Sequence, residues 1–167
     1  MFQCGDQVLY GIHGICRIIA VERMKLSGKP AEYFVLEPVG QPNAKYYVPT
    51  QNQAAVAKLQ PILTREELQE MLHSASQDKS IWIDDENKRK QQYSSLITSG
   101  DRGALVRAAH AIHKHKLQQE ANGKKLHLCD ENFLRDAERL LSSEFSMVLN
   151  ITPEEVGQYI QDIFGHE

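Results

Sequence analysis

Cysteine is scarce in these 167 residues. Cys4, Cys16 and Cys129 are odd in number and widely spaced, which excludes a disulfide framework and predicts a reducing, cytoplasmic setting. Long apolar runs are missing too: none approaches the roughly 20 consecutive residues that a bilayer span requires. The opening Met1-Phe2-Gln3-Cys4-Gly5-Asp6 lacks a basic segment followed by an apolar one, so no secretory leader is expected. Neither a glycine-rich phosphate loop with its lysine nor a nucleophile elbow occurs. A non-enzyme is expected, without cofactor, metal, membrane or small-molecule substrate. No internal repeat or low-complexity tract is found.

The net charge of −3 hides a segregation along the chain. Residues 1–60 carry six basic and four acidic side chains. Lys88 to Lys125 carry nine basic residues against only Asp101 and Glu120. From Leu126 onward two arginines face nine acids. Such a split suggests that one face of the second half seeks a polyanion; two solvated helix faces that neutralise each other are the plainer alternative.

The first sixty residues read as β-structure. Gln7–Tyr10, Ile15–Glu22, Glu32–Glu37 and Lys45–Pro49 are short runs with apolar alternation. Ser27-Gly28-Lys29-Pro30 and Val39-Gly40-Gln41-Pro42-Asn43 are turns, since glycine permits positive φ and proline fixes φ. Strands this short predict a small, strongly bent, barrel-like sheet. His13, beside Gly14, reads as a turn histidine bonded to backbone, because no nucleophile or paired carboxylate stands near it.

From Thr64 the period becomes helical. Thr64-Arg65-Glu66-Glu67 is a capping box, followed by a helix to about Leu72 and a polar linker over His73–Ser80. A helix is expected from about Asp84 to Thr98, stopped by Gly100. Asp101 caps the next one, which carries Leu105, Ala108, Ala109 and Ile112. Asp130 is expected to cap a long helix with Phe133, Ala137, Leu140, Leu141, Phe145 and Val148 inward. Thr152-Pro153-Glu154-Glu155 starts the last, striped by Val156, Ile160 and Ile163. The division is a β-module over 1–60, a helix and linker over 61–80 and a helical bundle over 81–167.

These residues resemble the CarD family of bacterial RNA-polymerase-binding regulators, whose β-module is shared with transcription-repair coupling factors. The elements are Phe2-x-x-Gly5-Asp6-x-Val8-x-Tyr10-x-x-His13-Gly14, Tyr33-Phe34-Val35-Leu36 and Tyr47-Val48-Pro49. Ser99-Gly100-Asp101 and Ala137-Glu138-x-Leu140-Leu141 add looser matches. The resemblance implies an α+β fold, a Tudor-like β-barrel followed by a helical bundle. It also implies that the β-module adds an edge strand to a sheet of the polymerase β subunit. The matching positions are Lys45, Tyr46, Tyr47 and Val48, with Lys25 and Leu26 on the preceding hairpin. The family often has basic residues where Tyr47 stands and near Met24, a departure that bears on polymerase affinity.

The resemblance further implies that Trp82, the one tryptophan, wedges into the minor groove of promoter DNA at the upstream edge of the melted bubble. A buried structural tryptophan is the alternative. Lys88, Arg89, Lys90, Arg102, Arg107, Lys114 and Lys116 are the expected phosphate contacts. The implied function is transcription regulation through open-complex stability, in the cytoplasm on the nucleoid. A β-module that binds RNA or a protein tail, with a helical dimerisation unit, is the second reading. His110, His113, His115, His127 and Cys129 are metal-capable donors without a recognised zinc spacing.

Overall fold

The computed structural model of the chain describes residues 1–79 and 82–165. They form two compact units, Met1–Ile62 and Leu63–Glu167. The end of the expected linker at Ser80 and the expected boundary at 80/81 lie outside the described residues. No helix among the described residues is long and apolar enough to cross a membrane.

The first unit is an antiparallel sheet of β1 (Gln7–Tyr10), β2 (Ile15–Met24), β3 (Ala31–Pro38), β4 (Tyr46–Pro49) and β5 (Leu59–Pro61), in the order β4-β3-β2-β1-β5. Cross-strand pairs supply its core. Val8 lies opposite Cys16, Ile18 opposite Leu36 and Phe34 opposite Val48, all buried. One face of each strand thus meets one face of its neighbour, as a period of two dictates. The register slips between Ile18 and Ala20, a bulge that leaves Ile19 over and bends the long β2. That bend curls the sheet: the Tyr10 ring of β1 meets the Tyr46 ring of β4, 5.8 Å between centroids, although two strands separate them. The result is the bent, barrel-like module that short strands demand.

The Gly5-Asp6 turn is tied in by backbone bonds to Ile18 in both directions, Gly5 N to its oxygen at 2.8 Å and its nitrogen to Asp6 O at 2.9 Å. The Asp6 carboxylate accepts from the Gln3 amide at 2.9 Å. Gly14, with φ +71, ends the short 3-10 turn Gly11–His13 in a region closed to most side chains. Two elements had no sequence signal. Helix α1 (Gln53–Val56) starts where the Asn52 side chain accepts from Ala55 N, and β5 has three residues. Both are too short for a 3.6- or two-residue period to repeat even twice.

The second unit consists of α2 (Arg65–Gln77), α3 (Glu86–Ser99), α4 (Arg102–Ala121), α5 (Leu128–Leu149) and α6 (Pro153–Phe164). The Thr64 box closes reciprocally: Thr64 Oγ1 accepts from Glu67 N at 3.2 Å, and Glu67 Oε2 accepts from Thr64 N at 2.8 Å. Gly100 takes the left-handed conformation, φ +70, and Asp101 Oδ1 accepts from Ala104 N. Their core joins Leu68, Leu72, Leu105, Ile112, Phe133, Leu141 and Phe145, among others.

Two expectations need correction. Helix α2 does not stop at Leu72 but runs to Gln77, because Ala75 and Ser76 are buried and extend its inward face by a turn. Nor does Asp130 cap α5. That helix begins at Leu128, and Asp130 is completely buried for a different purpose.

Candidate functional site: an open sheet edge and the surroundings of Trp82

Strand β4 ends the sheet, so its outer edge has no partner strand among the described residues. The alternation of an antiparallel ladder decides what that edge offers. Thr50 N bonds Glu32 O at 3.0 Å, which makes 50/32 a hydrogen-bonded pair. Two residues on, Val48 opposite Phe34 and Tyr46 opposite Leu36 are therefore also bonded inward. The backbone of Tyr47 then points outward, as does Pro49, which has no N–H to lose.

Side chains divide the other way. Val48 is buried in the core and Tyr46 packs against it, where its ring meets His13 at 4.1 Å and Tyr10 at 5.8 Å. Tyr47 is 41% exposed and Leu26 57%, and Lys25 and Lys45 are exposed. Of the six expected positions, Lys25, Leu26, Lys45 and Tyr47 present side chains outward, while Val48 is core and Tyr46 is half-buried against it. His13 is an exposed ring in an aromatic group with Tyr10 and Tyr46.

In the second unit the expected phosphate set splits. Arg89 is 3% exposed, and its role as a phosphate contact is withdrawn. Nε and Nη2 donate to the two oxygens of Asp130, each at 3.0 Å. Nη1 donates to the carbonyls of Ile83 and Asp84, also at 3.0 Å. Tyr93 Oη completes the Asp130 shell at 2.6 Å, with its ring stacked on Phe133 at 4.2 Å. Burial works against the Arg89 charge, but the hydrogen bond and charge of Asp130 more than offset it and hold the guanidinium above its ordinary range. Burial, then the bond to Asp130, push the Tyr93 phenol well up.

Arg102 is also internal: its Nε donates to the buried Glu144 at 2.6 Å, whose other oxygen accepts from Leu63 N at 3.0 Å. It is corrected from surface contact to structural pair. Arg107 reaches Asp78 at 3.3 Å while staying one-third exposed. Lys90 pairs with Glu86 at 2.9 Å one helical turn away, both well exposed, a link worth little in water. Lys88 and Lys114 are exposed and Lys116 half-buried.

Trp82 is partly buried against the core. His115 stacks on one side of the indole, 3.7 Å between centroids and 12° from parallel, and Arg89 Cζ lies 4.5 Å from the ring centroid. A hollow of about 230 Å³ opens beside the ring, lined by Lys79, Arg107, Gln92, Leu96 and Ile112. Lys79 and Gln92 were not among the expected residues. Lys79 falls in what reads as a polar linker, and its place three residues before Trp82 is the one signal that could have found it. A larger hollow of about 510 Å³ lies among α4, α5 and α6. Its rim mixes Arg135 and Arg139 with Glu138 and Glu154, which selects neither sign of ligand.

The metal-capable donors scatter. His110 lies against Phe164, His113 meets Gln161, His115 meets Trp82, and His127 and Cys129 approach Glu86. Among the described residues no three His, Cys, Asp or Glu converge on a point that could hold a metal.

Two family descriptions match this sequence: the CarD-like/TRCF RID domain over residues 2–63, and the CarD, C-terminal domain over residues 67–161. No curated protein matches it.

Proposed function

This chain belongs to the CarD family, and from that premise we propose that it holds RNA polymerase and promoter DNA together and so alters open-complex stability. The family makes it a transcription-associated, polymerase-interacting protein, in a group of regulators rather than enzymes. The finer reading is that β4 adds to a sheet edge of the polymerase β subunit. The Trp82 surface then meets DNA at the upstream edge of the bubble. Preference for the opened state shifts the population of promoter complexes by the difference in affinity.

One observation carries the docking half: β4 is an edge strand whose outward backbone belongs to Tyr47. Strand addition draws affinity from such main-chain groups and specificity from alternate side chains, here Tyr47 with Lys45 and Leu26 nearby. The DNA half is supported by the exposed Lys88 and Lys114 and by Lys79 and Arg107 around the indole. The test is capture of the isolated β subunit by wild type and Tyr47→Pro. This substitution removes an outward N–H and an exposed ring, not an internal bond, so circular dichroism should be unchanged. Capture should fall to background; capture at wild-type level would reject strand addition at β4.

A further inference from the structure

Both sides of the Trp82 ring are occupied, one by His115 at 3.7 Å and the other by Arg89 at 4.5 Å. Parallel stacking on one side leaves the guanidinium the opposite one. What remains for solvent is the rim of the indole. Arg89 is itself immobile, held by Asp130 on one flank and by the Ile83 and Asp84 carbonyls on the other. The same guanidinium therefore fixes the ring and the two residues that follow it. Asp130 in turn is fixed from α3 by Tyr93. On the far side, His115 sits in the middle of α4, its Nε2 3.1 Å from Gln119 Nε2.

We propose that Arg89 and His115 are positioning residues that clamp Trp82 in one orientation, so that it meets DNA as a rigid edge and not as a platform for a flipped base. This rests on the reading of Trp82 as the DNA-facing residue. A long side chain ordered in advance avoids the loss of rotamer freedom on binding, and a cation over one face with an aromatic over the other supplies the ordering. In this role neither clamp residue serves as a phosphate contact, and Arg89 is buried away from any. Their contribution is geometric, and insensitive to salt.

The clamp is tested with the full chain in two assays. In the free protein, acrylamide quenching of the single tryptophan reports whether the indole is held. His115→Ala should raise it and His115→Phe, which keeps a stacking ring, should restore it; unchanged quenching in His115→Ala would overturn the clamp. On promoter complexes with purified polymerase, the concentration for half-maximal effect on open-complex lifetime should rise roughly two- to tenfold in His115→Ala, the size expected for one immobilised side chain. His115→Phe should stay near wild type, and Trp82→Ala should lose the effect. A normal Trp82→Ala would overturn the DNA reading and the clamp with it. A defective Trp82→Ala beside a normal or tighter-acting His115→Ala would overturn the clamp alone. For Arg89, where truncation strands a buried carboxylate, the double variant Arg89→Met, Asp130→Leu keeps the packing. Its salt dependence of DNA binding should match wild type; a slope shallower by about one would make Arg89 a phosphate contact after all.

Discussion

Arg89 and Asp130 carry the residue-scale account, because both are charged and neither reaches water. Breaking such a pair from one side leaves an uncompensated charge in the core, at a cost of about 3–5 kcal/mol. Asp130→Ala should therefore unfold the helical unit at markedly lower urea, and the double variant Arg89→Met, Asp130→Leu should cost less than either single change, since replacing both partners removes the stranded charge. A double variant as unstable as the sum of the singles would contradict this. Burial pushes the Cys16 thiol from 9.0 to about 11, and Tyr93 is raised above its ordinary 10.0. Above those ordinary values the unfolded chain releases protons that the folded chain keeps. Stability from both groups is thus complete below about pH 9 and falls as pH rises, first through Cys16 between 9 and about 11, then through Tyr93. Urea melts at pH 8 and 10.5 should show this decline, and Cys16→Ala together with Tyr93→Phe should flatten it.

At the scale of elements, the local rules were legible and the long-range ones were not. The Thr64 box, the left-handed Gly100 and the Asp101 cap each involve groups within three residues, and each forms as the sequence implies. Thr64→Ala should accordingly cost about 0.5–2 kcal/mol in the helical unit, measured by urea melts. Asp130 met the same local rule and was misread, because its partner Arg89 lies 41 residues away on α3. The split of the basic residues has the same cause: nothing beside Arg89 or Arg102 in sequence shows that Asp130 and Glu144 will be buried against them. In the sheet, alternation marked four of the five strands, but the bulge at Ile19 and the inward turn of Tyr46 depend on how β2 bends. An exposed Tyr47 beside a half-buried Tyr46 follows from register, which sequence alone left open.

On the scale of the whole molecule, the proposed function requires two grips in one chain. The DNA grip should be electrostatic in its dependence and structural in its placing. Lys88→Glu should weaken binding on any sequence, and the slope of log K against log salt should become shallower by about one contact; a flat salt response in wild type would remove the exposed lysines from the account. The two grips should also be separable. The most direct measurement is open-complex lifetime with purified polymerase, comparing wild type, Tyr47→Pro and Trp82→Ala, each checked for β-subunit capture. The account predicts that both variants lose the effect on lifetime, while only Tyr47→Pro loses capture. If Trp82→Ala captured the β subunit and still changed the lifetime as wild type does, a chain gripping both enzyme and template would be contradicted.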